Sequence, residues 1–233
     1  MIIIRKAEER GHANFGWLDS RHSFSFGSYY DKRYMGFSDL RVINDDRINA
    51  GSGFDTHPHS DMEIISYVLD GALAHRDSAG NGSVIEPGDV QLMSAGWGIA
   101  HSEFNHAEQA QTHFLQIWIM PNQRGTRPGY QQQRFSDADK RGRLQLIVSP
   151  DGADGSLTIR QDMRLYAALL DGDEAIDFPP APGRKLWLQL ARGSARVNGQ
   201  MLQAGDGAAL IDEATVRLDA GQDAELLLFD LAG

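Results

Sequence analysis

The sequence predicts an all-β protein made of two related β-barrels, and three observations point there. Short β-branched and aromatic runs dominate: "EIISYVLD" (63–70), "THFLQIWIM" (112–120), "GRLQLIVS" (142–149), "KLWLQLA" (185–191) and "AELLLFDL" (224–231) have the length and make-up of strands. Turn chemistry separates them at the intervals of sandwiches and barrels, as in "LDGAL", "SAGNGS", "EPGDV", "ARGSA" and "QAGDG", while long helical periodicity is scarce. A Gly-Asp element recurs, "EPGDVQLMSA" at 86–95 and "QAGDGAALID" at 203–212, a weak internal repeat that suggests one barrel in each half.

Taken in order, "MIIIRKAEERGHAN" turns charged after three isoleucines and lacks the apolar run and cleavage site of a signal peptide. The aromatic stretch "RHSFSFGSYYD" (21–31) reads as a loop covering a barrel end, or as a lid over a cavity. Next comes "GFDTHPHSDMEI" (53–64), whose "GSGF" start (51–54) is a turn rather than a phosphate loop, followed by the strand at 63–70. The segment "PNQRGTRPGYQQQRFSDADKRGR" (121–143) is polar and poor in aliphatics, and reads as a connector carrying one helical turn. It sets the expected division: residues 1–125 as a metal-binding barrel and 126–233 as a barrel without ligands. Beyond it, "SPDGADGS" (149–156) lacks the spacing and closing glutamate of a calcium loop and is a turn. Asn198-Gly199 is a two-residue hairpin signal.

Composition narrows the function. With 233 residues, 41% hydrophobic and 23% charged, the chain has material for full cores and no apolar run of membrane-spanning length. A net charge of −10 and scattered basic residues argue against nucleic acid as a direct partner. The absence of cysteine excludes disulfides, thiolate metal sites and thiol nucleophiles, and favours the cytoplasm.

Chemistry concentrates in two short pairs. His57-Pro58-His59 and His101-Ser102-Glu103 repeat the same His-x-(His/Glu) spacing, and all 8 histidines lie in the first half of the chain. Side chains at i and i+2 of a strand share a face, about 6.5–7 Å apart along it, so two facing strands can aim three imidazoles and a carboxylate at one ion. Pro58 is tolerable at a strand start or edge. Such a set suits one divalent transition metal, Fe, Cu, Ni, Mn or Zn, and leaves coordination positions open for a guest. Phe54, Met93, Phe104 and Trp118 are the candidates to bind that guest, from a wider apolar group with Met62, Ile64, Trp97 and Phe114. Glu63 stands at even spacing from His59, but a structural role is expected because His101 and Glu103 complete the set. His12, His22, His75, His106 and His113 read as ordinary histidines, with His113 the first candidate for an exception.

At this point the motifs resemble a known family. "GSGFDTHPHSDMEIISYVLDG" resembles the first cupin motif, with five residues between Gly51 and His57, then His-x-His, Glu63 and Gly71, the usual Glu-to-Gly gap being one residue shorter. "EPGDVQLMSAGWGIAHSEFN" resembles the second, with its Pro-Gly turn, His101 and Asn105. With "DLRVINDDRI" upstream and "THFLQIWIMP" downstream, the chain is most similar to the pirin family, in its bacterial branch. The resemblance implies a bicupin, two tandem jelly-roll barrels, with metal in the first at His57, His59, His101 and Glu103 and with Glu63 off the ion. It also implies quercetin 2,3-dioxygenase activity: a flavonol and O2 as substrates, Glu103 taking the 3-hydroxyl proton as the catalytic base, and a depside and carbon monoxide as products. Animal pirin, a nuclear iron protein that modulates transcription factors, supplies the alternative: a metal- or redox-sensing binding protein acting through a protein partner. A cupin isomerase using the metal without oxygen is the third reading.

Overall fold

Alternation of apolar and polar residues in the sequence becomes alternation between core and surface in strands, which make up almost every regular element of the computed structural model; it describes residues 1–233. The only α-helix is the turn Asp137–Lys140, capped by Ser136. The chain forms two compact units: Gly11–Arg134 with Ile159–Gln161, and Met1–Arg10 with Phe135–Thr158 and Asp162–Gly233.

The first unit holds two antiparallel sheets. A seven-stranded sheet runs in the order Gly129–Arg134, Asp89–Ser94, Glu63–Asp70, Thr112–Ile119, Leu40–Ile48, Leu18–His22, Gly11–Asn14. The other runs Gly53–His59, Ile99–Asn105, Leu73–Asp77, Gly82–Ile85. Their apolar faces meet: Leu18, Ile48, Val68 and Phe114 from the first sheet share one cluster with Leu73 and Ile85 from the second. The second unit is a single nine-stranded sheet in which the long strands Lys185–Val197 and Val216–Leu231 carry repeated β-bulges, which bend a strand and let one sheet wrap a core. That core is aliphatic, built on Leu186, Leu188, Leu190, Leu226 and Leu228.

The internal repeat is visible as one turn made twice. In "EPGD" the Asp89 carboxylate accepts from the Glu86 amide at 3.0 Å, and in "QAGD" Asp206 accepts from the Gln203 amide at 3.0 Å. Asn198-Gly199 closes the hairpin of Lys185–Val197 and Gln200–Gln203, with φ of 44° and 82° at the two turn residues, as a type I′ turn requires.

Two expectations change. Ile2–Arg5 is a strand paired with Gly207–Ile211, and residues 1–10 group with the second unit, because Ile2 and Ile4 alternate into its core. The segment 121–143 is more than a connector: Gly129–Arg134 pairs along Asp89–Ser94, and its polarity follows from its place at the edge of the sheet.

One buried amide ties the first unit together. Asn105 Nδ2 donates to the carbonyls of Ile48 (2.9 Å) and Ala110 (2.7 Å), while its Oδ1 accepts from the Ala107 amide and Thr112 Oγ1, both at 2.7 Å. Asn105→Ala strips partners from several buried groups at once, so it is expected to cost about 2–4 kcal/mol, read as a lower urea midpoint for the first unit.

Candidate metal centre

Strand Ile99–Asn105 lies between Gly53–His59 on one side and Leu73–Asp77 on the other, and its register sets the site. His101 stands opposite His57 across one ladder and opposite Asp77 across the other; Glu103 stands opposite Phe54 and His75. Between these pairs the Gly53–His59 strand carries one extra residue, a bulge that brings Phe54 onto the same face as His57 despite their odd spacing. Gly53 permits this close approach, since a Cβ there would overlap the Glu103 carbonyl oxygen. Pro58 falls on the edge strand, where a missing N–H is tolerated.

The structure brings three imidazoles together. One nitrogen from each of His57, His59 and His101 lies within 4.8 Å of the others, with ring centroids 4.5–4.9 Å apart. His57 Nδ1 donates to the Asp55 carbonyl at 2.7 Å, which leaves the Nε2 lone pair for a ligand. His101 Nε2 is buried and has no hydrogen-bond partner. Burial, reinforced by His57, pushes His59 down to about 4; burial and then His57, His59 and His75 push His101 down to about 3. Near neutral pH both rings therefore keep free lone pairs. Three clustered imidazoles, one of them with an orphaned buried nitrogen, fit a first-row divalent metal.

Glu103 is drawn in from the other side. Its carboxylate forms a second group of potential donors with His101 and His75, again within 4.8 Å. The two triads share His101, and Glu103 is not part of the tight three-imidazole group. Its Oε1 accepts from Ser66 Oγ at 3.1 Å and its Oε2 from Gln116 Nε2 at 2.7 Å. Those donors belong to a polar cross-strand row, His22–Asn44–Gln116–Ser66. Burial nevertheless pushes the Glu103 carboxyl up to about 7.

The donors open onto a cavity of about 280 Å³ lined by His57, His59, Glu103, Phe54, Trp118, Phe26, His22, Ser20 and Asp46, among others. Trp118 stands edge-on to both His59 and Phe26, at 4.9 and 5.3 Å. Asp46, whose carboxylate accepts from Ser20 Oγ, is pushed up to about 7 by burial, with Asp45 and Glu103 adding to the effect.

Of the four residues expected to bind a guest, Phe54 and Trp118 line the cavity and two do not. Met93 is fully buried in a cluster with Ile64, Ala95 and Ile99, two strands away from Trp118 in the same cross-strand row. Phe104 follows Glu103 by one residue, so pleating turns it to the other face, where it is 37% exposed. Trp97 is exposed at 65%. Glu63 does not continue the His57–His59 face: the chain breaks at Asp61 (φ 48°) into another sheet, where Glu63 accepts from Ser94 Oγ at 2.8 Å. His113 also points away from the cavity and contacts Asp45 at 2.7 Å. The stretch 21–31 supplies His22, Phe26, Gly27 and Ser28 to the cavity wall. Two histidines read as ordinary stand at the site: His22 on the cavity wall and His75 in the second donor group. For His75 the signal was present, since "AHRDS" carries a third i/i+2 pair, His75 and Asp77.

Comparison with known proteins places this geometry. Residues 4–119 match the Pirin family, and residues 146–231 match the quercetinase C-terminal cupin domain, so both halves are cupin barrels. The chain is 51% identical over 231 residues to the quercetin 2,3-dioxygenase of Escherichia coli, covering 99% of each. It is 44% identical over 234 residues to the pirin-like protein of Caulobacter vibrioides, covering 100% of each. The crystal structure of the bacterial pirin YhhW from Escherichia coli in complex with nickel(II) superimposes with a TM-score of 0.94 at 50% identity, covering 100% of this chain and 99% of that one. Similarity of this extent, along the whole chain and in both barrels, makes the protein a member of the pirin family.

Proposed function

We propose that the chain is a metal-dependent dioxygenase that cleaves a flavonol such as quercetin with O2. The observation that carries this reading is the three-imidazole group His57, His59 and His101, with the buried Glu103 carboxylate beside His101, at an aromatic-lined cavity whose wall includes His57, His59 and Glu103, in a chain 51% identical to a quercetin 2,3-dioxygenase. His57, His59 and His101 are assigned as the nitrogen ligands of one divalent metal, with Glu103 as the oxygen donor beside them. Nickel(II) is the first metal to test, given the solved relative that contains it. When bound, the metal supplies Lewis acidity toward a hydroxyl oxygen and a route for electrons to dioxygen.

The chain's own residues do the rest. Phe54 and Trp118 clamp the planar rings from opposite strands, and their apolar surface excludes water. Glu103 takes the proton of the flavonol 3-hydroxyl onto a carboxylate oxygen. A carboxyl raised to about 7 is well matched to that task, because it is basic enough to accept the proton and still ionised in part near neutral pH. Ser66 and Gln116 hold the carboxylate in place while the proton arrives. On this reading the partners are a small aromatic substrate and O2, with no need of nucleic acid or membrane, and the place of action is the cytoplasm. No helix is long and apolar enough to cross a membrane.

Three outcomes are expected. Nickel-loaded protein consumes quercetin, followed by its visible absorbance, only when O2 is present; nickel-loaded protein that leaves quercetin unchanged under air overturns the enzyme reading in favour of a metal-responsive binding protein. His101→Ala loses nickel in elemental analysis, with an affinity deficit larger than the ten- to hundredfold typical of a residue behind the ligands. The third concerns pH. A carboxyl raised above its ordinary value becomes a base only as pH climbs through that raised value, so kcat/KM rises with pH to a plateau. Its midpoint lies no higher than about 7, and a bound cation shifts it lower. Glu103→Gln removes that limb and lowers kcat/KM by about 10²–10⁴-fold.

A further inference from the structure

Behind His101, on the side away from His57 and His59, the Leu73–Asp77 strand presents a buried pair. His101 Nδ1 lies 3.4 Å from His75 Nδ1, and His75 Nε2 lies 3.4 Å from Asp77 Oδ2. Neither side chain of that pair has solvent exposure. We infer that Asp77 and His75 are positioning residues that fix His101 in the Nδ1–H tautomer, so that its Nε2 lone pair faces His57 and His59 ready for a metal. The inference rests on the assignment of His101 as a ligand.

Asp77 fixes the order of donors and acceptors. Its Oδ1 accepts from the amides of Ala79 and Asn81, both at 2.9 Å, and its Oδ2 accepts from Asn81 Nδ2 at 2.8 Å. A carboxylate held by three N–H donors only accepts, so the His75 nitrogen facing it carries the proton. Neutral His75 is then left with a lone pair at Nδ1, the atom that faces His101. Two lone pairs cannot share that contact, so His101 carries its proton on Nδ1 and its Nε2 is bare. That nitrogen is the buried atom without a partner. The Tyr130 ring, 5.0 Å from the His75 ring and tilted by 31°, keeps His75 in plane, and Tyr130 is itself anchored to Gln132 at 2.8 Å. His57 reaches the same state differently, through a neutral backbone carbonyl. His101 alone is backed by an imidazole and a carboxylate, which makes it the strongest of the three nitrogen donors.

The test uses the full chain and nickel(II) in competition with a chromophoric chelator, together with long-range ¹H–¹⁵N spectra of histidine-labelled, metal-free protein, which report the tautomer of each ring. Wild type is expected to show His101 as the Nδ1–H form. His75→Leu removes the acceptor while keeping the volume; it is expected to lower nickel affinity about 10–100-fold and to move His101 toward the Nε2–H form. His75→Asn restores an acceptor near the Nδ1 position and is expected to recover most of that loss. Equal nickel affinity in wild type and His75→Leu, with the His101 signal unchanged, overturns the inference. So does His101 found as the Nε2–H form in wild type, a result that needs no variant to fold. If wild type binds no nickel, or His57→Ala binds it as tightly as wild type, the metal assignment fails instead, and the wild-type spectrum still judges the tautomer.

Discussion

The register of one strand governs the first barrel. Ile99–Asn105 is hydrogen-bonded on both sides, and its i/i+2 pair, His101 and Glu103, is set opposite His57 and Phe54 across the bulge on one neighbour and opposite the i/i+2 pair Asp77 and His75 on the other. Because a strand's faces alternate with period two, a slip of one residue would turn His101 and Glu103 to the outside and bring Ser102 and Phe104 in. The devices around the strand prevent that slip. Asn105 pins its end to two other segments, Gly53 admits the close approach of its neighbour, and the bulge beside Asp55 sets where the imidazoles end and the aromatic wall begins.

The centre also gathers groups that a stable core would avoid. Burying ionisable side chains disfavours their charged forms, which lowers the histidines and raises Glu103 and Asp46. Each shift in turn makes the group more useful: imidazoles that stay neutral are ligands, and a carboxylate near 7 accepts protons. The second barrel reuses the same Gly-Asp turn but fills its interior with leucine, alanine and valine, and no histidine occurs there. One architecture thus serves chemistry in one unit and packing in the other.

Much of this was legible in the sequence, and the reasons differ from residue to residue. The strand runs, the Asn198-Gly199 hairpin and the shared face within each His-x-(His/Glu) pair follow from local periodicity and turn chemistry, which need no knowledge of neighbours; the meeting of the two pairs depends on how their strands pair. Phe104 was misread although the same period-two rule that admits His101 and Glu103 excludes it. Met93 was misread because its row faces inward as expected, but burial by Ile64 and Ile99 seals it off before the cavity begins. Strand Gly129–Arg134 and the grouping of Ile2–Arg5 with the second unit depend on long-range pairing that composition does not reveal. His75 was hidden by the opposite fault. Its i/i+2 partner is an aspartate rather than a histidine or glutamate, and its value appears only once the Leu73–Asp77 strand is seen beside His101.

The central claim is that a single metal position is defined by strands Gly53–His59 and Ile99–Asn105 together. The most direct measurement is anomalous diffraction at the nickel edge from crystals of the nickel-loaded protein. One strong peak is expected, about 2.0–2.2 Å from nitrogens of His57, His59 and His101, with a Glu103 oxygen alongside. A peak held instead by His75, His101 and Glu103, leaving His57 and His59 uncoordinated, would contradict the claim.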